Sequence, residues 1–557
     1  MTDNIQRKLD RVRASALRLA MISLTVVAGC AVASAQPYFQ PGNLVVSRSV
    51  YDNNPNNVTV GQILPPNCQA TQAGCNGAAT NNGTYPTVWN NDLVDGSFGI
   101  TSRILLDQFT PAGSLVNTLQ VPYSKGHGLL LKGDQLVTSF SSKSEIALNL
   151  STDGQYLTFM GYVDAIDDLD VSNSNTPLII DPTNPVGTAF YRAVALVDVN
   201  GNFNFTETQA YSGNNGRAAI FNNSNGDSFF YTAGNAGNGG NPQPDGVIIG
   251  AGAQILTPLF EREVLQRPVL PTPVGSFNIT QLGDPLDKVG KDTNFRGLTI
   301  FNNVLYYTKG SGGNGVNTVY WVDPTLTICN DNNGIGLPPA GATLPTMPLA
   351  YDPSLVQTKG LDPNNMCILK GFPVALKSKT SFPFGVWFAN ATTIYVADEG
   401  NGDNTYSSSK NLYTKAAAQT TAGLQKWIFQ SSGDLSGTGQ WTLAYTLQAG
   451  LQLGVPYTVS GYPTGNNPAS GLPWSPGTDG LRNITGIVNG DGTATIYAVT
   501  STVSGNGDQG ADPNKVVVIT DNISATSLPG GESFSTFDAA GFGEVLRGVS
   551  FTPQLAP

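Results

Sequence analysis

Histidine is almost missing from this chain: 557 residues hold one, His127. Multi-histidine copper, zinc and iron centres are excluded by that count. A Ser-His-Asp triad would have to use His127, and no G-x-S-x-G elbow accompanies it. His127, in "SKGHGLL", reads as a turn residue. Charge is scarce as well. Charged side chains make up 12% of the chain, with 28 Lys and Arg against 39 Asp and Glu and a net charge of −11. An acidic chain repels phosphate backbones, so a nucleic-acid partner is not expected. No G-x-G-x-x-G dinucleotide site or P-loop stands in the strand-to-helix setting it requires. One apolar run, "LAMISLTVVAG", is too short for a comfortable membrane span, and no other segment is longer.

What is abundant is Gly (64) and Pro (36), with frequent Asn, Thr and Ser. This is the composition of many short strands joined by turns. A hydrophobic content of 40% suffices for a packed core.

The N-terminus has the form of an export signal. Arg7, Lys8, Arg11, Arg13 and Arg18 precede the apolar run, and Ala33-Ser34-Ala35 is a small-x-small cleavage site. Residues 1–35 are expected to be a signal peptide and 36–557 a single domain. "VAGC" offers a second possibility, a lipid anchor on Cys30. Cleavage removes five basic and two acidic side chains, leaving 23 and 37 and a net charge of −14. The expected location is secreted, periplasmic or at the cell envelope, with no transmembrane span in the mature chain. Four cysteines remain: Cys68, Cys75, Cys329 and Cys367. An even number in an exported chain suggests two disulfides, and Cys68–Cys75 with Cys329–Cys367 is the simplest of three pairings. Their spacing matches no common zinc pattern.

A pattern recurs along the rest. "SEIALNLSTDGQYLTFMGYV" begins at Ser144, "GRAAIFNNSNGDSFFYTAGNAGNG" at Gly216 and "FRGLTIFNNVLYYTKGSGGNG" at Phe295. "FGVWFANATTIYVADEGNG" begins at Phe384 and "LRNITGIVNGDGTATIYAVTSTVSGNG" at Leu481. Each is a small-residue opening, an apolar run, a polar turn and an aromatic-rich run, mostly followed by a Gly/Asn loop. Third and fourth runs follow, such as "LQKWIFQ" and "WTLAYTLQ". Four antiparallel strands per unit are propeller blades. "LRGVSFTP" at 546–553 is an opening run with nothing after it, and "NLVVSRSVY" at 43–51 is a second run with nothing before it. The expected fold is all-β: a six-bladed β-propeller of four-stranded blades, closed by a C-terminal strand joining N-terminal strands. Closure removes two sheet edges. Seven blades result if "GHGLLLKGDQLVTSF" is a degenerate blade. Loop insertions are expected at 324–380 and 452–478.

"FPFGVWFANATTIYVADEGN", Phe382 to Asn401, resembles an NHL-type propeller repeat in its P-x-G opening and "IYVAD-x-x-N" second strand. The other blades match loosely, with Arg in place of Pro. The resemblance implies a propeller similar to the NHL and lactonase-like groups, a superfold with many unrelated chemistries.

In propellers, the loops leading into the innermost strands share a face with the loops between second and third strands. Four openings here carry arginine: Arg217, Arg296, Arg482 and Arg547. Acids stand three or four residues before three of them, at Asp292, Asp479 and Glu544; Asn214, Asn215 and Asn294 lie nearby. The functional expectation is a polar mouth binding an anionic or hydroxyl-rich ligand through guanidinium forks. The structural expectation is that arginines pair with their acids and plug the channel. "DEGNGDN" contributes Asp398, Glu399 and Asp403 as calcium candidates, and "GNGDQGADPN" adds Asp508 and Asp512; no EF-hand loop is present, and turn chemistry explains such loops too. In the loop at 452–478, Tyr457, Tyr462 and Trp474 could stack on sugar rings or pack among themselves.

The expected function is a binding or scaffold protein with its ligand at the channel mouth, the partner being a small molecule, a glycan or an envelope protein. The alternative is a calcium-dependent hydrolase of lactone or phosphoester type. "RGLTIFNNVLYY" faintly resembles a phytase strand, but Arg296 stands where an acid belongs. A quinone-dependent sugar dehydrogenase would need His127 as its base.

Overall fold

A computed structural model of the chain describes residues 37–51, 54, 99–122, 135–180, 184, 186–235, 252–265, 270–272, 294–310, 316–325, 327–328, 334–346, 366–375, 380–431, 439–468, 470–506 and 510–555. The signal segment, His127, Cys68, Cys75, Cys329, Asp292 and Asp508 lie outside them, as does Cys30. Strands dominate, and the α-helix at Thr414–Ala417 is a single turn. Among the described residues no helix is long and apolar enough to cross a membrane.

The closing blade forms as the repeat predicts. Glu544–Phe551 pairs with Leu44–Val50, which pairs with Thr101–Phe109, which pairs with Leu115–Gln120. A strand from the end of the chain is thus the innermost member of a sheet whose other members come from its beginning. Leu44, Val46, Leu546 and Val549 alternate toward one face and pack with Tyr497 and Val499 of the preceding blade.

Pro383–Asn390, Thr393–Asp398, Gly423–Gln430 and Gln440–Leu447 form one antiparallel four-stranded sheet. Gly477–Val488, Thr493–Val503, Lys515–Asn522 and Ser535–Ala539 form another. The blade opening at Phe295–Phe301 continues through Val304–Lys309 and Thr318–Val322. Its fourth strand is Met366–Leu369, inside the expected insertion at 324–380, with Ile335–Gly336 added in parallel at the edge. Cys367 is buried in that strand. Gly216–Asn222, Phe229–Gly234 and Ala253–Leu256 make a three-stranded sheet among the described residues.

The innermost strands Asn149–Leu150, Gly216–Asn222, Phe295–Phe301, Pro383–Asn390, Gly477–Val488 and Glu544–Phe551 each neighbour the next, and the last returns to the first. The blades therefore close round an axis, which is a β-propeller. Leu136–Ser139, the described part of the would-be seventh blade, is a single strand. It pairs with Thr101–Ser102 on one side and with Tyr156–Val163 on the other, so it ties two blades together. The core lies between blades, where Trp321, Tyr307 and Tyr320 are fully buried.

One opening departs from regularity. Residues 144–148 are buried but not strand, and Ile146 sits at φ 50. That left-handed value is unfavourable for a β-branched residue. The distortion accompanies the inward turn of Glu145.

Candidate ligand site at the channel mouth

The arginines sit at the starts of inner strands, and three of them meet. Arg482 Nε donates to Glu399 Oε2 at 3.3 Å, and Arg296 Nη2 lies 3.8 Å from Glu399 Oε1. Arg296 Nη1 also donates to Ser144 Oγ at 3.0 Å, and its guanidinium stands 5.8 Å over the Phe384 ring. Arg217 donates from Nε to Asn215 Oδ1 at 3.1 Å and from Nη1 to the Phe295 carbonyl at 2.8 Å and the Asn294 amide oxygen. Arg217, Arg296, Arg482 and Glu399 are all buried. Four blades supply them, because each blade presents one residue at the same depth of the axis.

Burial lowers the Arg217 pKa well below its ordinary value, and the neighbouring Arg296 charge lowers it further. Burial likewise lowers Arg296, against the pull of Glu399. Burial works to raise Glu399, but Arg296 and Arg482 hold it below its ordinary value, so it stays a carboxylate. Arg296 and Arg482 thus face this carboxylate directly, and Arg217 feels its charge from a further blade. Glu145 is the next acid, and it is already engaged: it accepts from the Tyr162 hydroxyl, from Thr138 Oγ1 at 2.7 Å and from the Ser139 amide at 2.8 Å.

The other predicted residues are placed differently. Arg547 donates to the carbonyls of Phe140 and Gly510, at 2.9 Å for the latter. Glu544, three residues before it, pairs instead with Arg48, which is also bridged to Asp107 at 2.7 Å. Strand geometry explains this: the acid falls where the neighbouring strand, not its own arginine, faces it. Asp479 accepts from the Gly402 amide at 2.8 Å and from Gln419 Nε2 at 2.6 Å. Asp398 accepts from the amides of Phe382 (2.8 Å) and Gly400 (3.0 Å) and from Gln425 Nε2 (3.2 Å). Burial raises both Asp398 and Asp479 to about 7. Asp403 folds back on Thr405, accepting from its amide at 3.0 Å and its hydroxyl at 2.5 Å.

Asp398, Glu399 and Asp403 do not fit a shared calcium ion. Their oxygens face N–H donors, guanidiniums and a threonine, and among the described residues no three His, Cys, Asp or Glu side chains converge as metal ligands. Trp474 is not offered to a sugar ring either. It is 3% exposed and packs in a cluster with Tyr51, Ile100, Phe140 and Tyr462. Tyr462 donates to Asp512 Oδ1 at 2.8 Å, and the Tyr457 hydroxyl donates to the Pro513 carbonyl at 2.7 Å. The loop spends its aromatics on its own packing.

Three residues beside the site escape sequence reasoning: Glu145, Tyr162 and Arg192. Arg192 is fully buried and held by carbonyls, donating to Phe190 O and Asn214 O at 2.7 Å and to Ser174 O at 2.8 Å. Its guanidinium lies 5.0 Å from the Tyr162 ring centre, and burial lowers its pKa to about 10. Only the repeated arginine at strand openings was a legible signal, and Arg192 lies on a third strand.

No family model matches the chain, the NHL family included, and no curated protein does. Among solved structures, it is similar to the PQQ-bound form of an aldose sugar dehydrogenase from Streptomyces coelicolor, at 13% identity over 76% of this chain and 93% of that one, TM-score 0.31. It is similar also to an ulvan lyase bound to -[GlcA(1-4)Rha3S]-, at 10% identity over 83% and 92%, TM-score 0.28. A third is Drosophila semaphorin 1a, extracellular domains 1–2, at 11% identity over 74% and 83%, TM-score 0.25. At this level of overlap none transfers a function to the chain.

Proposed function

We propose that this chain is an exported, six-bladed binding propeller whose ligand is a small anion or an anionic glycan, held at the arginine end of the central channel. The observation that carries this reading is the convergence there: Arg217, Arg296 and Arg482 come from three blades into one buried layer, with Glu399 between Arg296 and Arg482. Guanidinium forks suit carboxylate, sulfate and phosphate groups. Export through residues 1–35, lipid attachment at Cys30 as its alternative, a Cys329–Cys367 disulfide and an envelope partner belong to the same proposal. The test is calorimetric titration of the mature protein with sulfate and with succinate, repeated on Arg296→Gln and Arg482→Gln. Binding by the wild type that both variants lose supports the reading. Equal binding by all three proteins contradicts it.

A second reading, a hydrolase, rests on Asp398 and Asp479, whose pKa near 7 suits general acid–base work. Both carboxyls accept amide hydrogen bonds from the Gly400–Gly402 segment, so this reading requires that segment to move. Lactone or phosphoester turnover abolished by Asp479→Asn would support it.

A further inference from the structure

The channel has a second end. Where the inner strands finish, they enclose a cavity of about 610 Å³, within the range of small-molecule sites. Residues 148–152, 299–303, 386–387, 484–486 and 550–551 contribute to its wall, with Ile220, Asn222, Ser224 and Leu344. Leu344 apart, these lie at or just past the ends of the six innermost strands, four of which carry an arginine at their start.

The chemistry of this wall is the reverse of the arginine end. Among the described residues that line it, none is Asp, Glu, Lys, Arg or His. Its polar groups are hydroxyls and amides. Among the described residues, the side chains of Thr299, Thr485, Ser550, Asn302 and Asn303 make no hydrogen bond within the protein, which leaves them for a ligand or water. Asn302 and Asn303 form the hairpin turn at φ 49 and φ 58 and are exposed at the rim. Trp387 adds aromatic surface. Its indole lies against Gly486, where a Cβ would come within 2.9 Å of three ring atoms, so glycine there lets the ring take its place in the wall.

A charged ligand would surrender hydration in this cavity and gain no counter-charge. An apolar one would strand the side chains of Thr299, Thr485 and Ser550. A ligand with hydroxyls around its edges and C–H faces between them satisfies both kinds of surface. We propose that the far end of the channel is a second binding site, for an uncharged polyhydroxylated ligand of the neutral-saccharide class. It is independent of any anion at the arginine end.

The experiment is calorimetric titration of the mature protein with cellobiose, maltose and N,N′-diacetylchitobiose, and with glucuronate and glucosamine as charged counterparts. At least one neutral disaccharide is expected to bind in preference to both charged sugars. Thr485→Glu, at a half-buried position, should weaken that binding by about tenfold or more. Thr485→Val keeps the side-chain volume and should weaken it less, which guards against loss of fold. Arg296→Gln should leave it unchanged, separating this site from the arginine end. Failure of all three neutral sugars to bind overturns the proposal. So does stronger binding of a charged sugar, or binding indifferent to both Thr485 substitutions.

Discussion

Arg482 Nε lies 3.3 Å from Glu399 Oε2, a buried ion pair that joins the opening of one blade to the second strand's exit in the blade before it. Glu399 also faces Arg296 of the blade before that. The first prediction follows from this geometry. Glu399→Gln removes the carboxylate from between two buried guanidiniums, and breaking a buried ion pair costs about 3–5 kcal/mol. Denaturant midpoints should show that loss, and sulfate should restore part of it in the variant by supplying the missing charge.

Asp398 and Asp479 contribute to the pH response. Burial raises each from an ordinary 3.8 to about 7. The folded chain then binds these protons more tightly than the unfolded chain. Their contribution to stability is therefore full below an ordinary aspartate pKa and declines as pH rises to about 7. Glu399, held below its ordinary 4.5, acts in the opposite sense, losing its contribution as pH falls through its lowered value. Asp479→Asn should flatten the fall in melting temperature between pH roughly 4 and 7. An unchanged slope would mean that Asp479 ionises normally.

Away from the channel, Lys426 Nζ lies 2.9 Å from Asp521 Oδ2, with both side chains fully buried. Lys426 also donates to Tyr445 Oη at 2.9 Å and Asn522 O at 2.6 Å, tying adjacent blades. Lys426→Met alone should destabilise by about 3–5 kcal/mol, because it leaves Asp521 buried without its cation. Lys426→Met with Asp521→Leu should recover much of that loss by chemical denaturation, since an apolar pair carries no desolvation penalty.

The ring closure is open to a single methyl group. A Cβ on Gly548 would lie 2.6 Å from Leu148 N and 2.7 Å from Ile146 O, both backbone atoms that cannot rotate away. Gly548→Ala should lower stability by about 1–3 kcal/mol, the range for overpacking. Amide exchange should quicken first in Glu544–Phe551 and Leu44–Val50, the strands of the closing blade.

Chelation gives the fifth contrast. Asp398, Glu399 and Asp403 direct their oxygens to protein donors, so EDTA should leave the melting temperature unchanged. A drop reversed by added calcium would place an ion among these carboxylates after all.

The blades were legible because each strand carries its own signal: alternation, an aromatic-rich second run and a Gly/Asn turn recur locally. The strap was legible for the same reason, since "LRGVSF" and "LVVSRSV" are incomplete without each other. Met366–Leu369 escaped notice because four residues, "MCIL", are too short a run to stand out within a long insertion. Arginines at strand openings were visible as a repeated residue at a repeated place. Their partners were not. Arg296 finds Glu399, and Glu544 finds Arg48, 496 positions away in sequence. Spacing along the chain suggested local acids, whereas among the described residues adjacency across strands and blades brings Arg296 to Glu399 and Glu544 to Arg48. Of the two readings of Trp474, packing is the one its burial matches; the partners Tyr51, Ile100 and Phe140 were not legible because no local pattern connects them to it. The cavity at the far end is built from turn and strand-end residues whose types, Thr, Asn and Ser, are unremarkable until six strands bring them together.

The most direct measurement is anomalous diffraction from crystals of the mature protein grown with selenate, a heavy-atom counterpart of sulfate. The account predicts a strong selenium peak within hydrogen-bonding distance of Arg217, Arg296 or Arg482, lost in crystals of Arg296→Gln. Selenium found only on the outer surface, with these guanidiniums closed on Glu399 alone, would contradict it and make the arginine layer a structural plug.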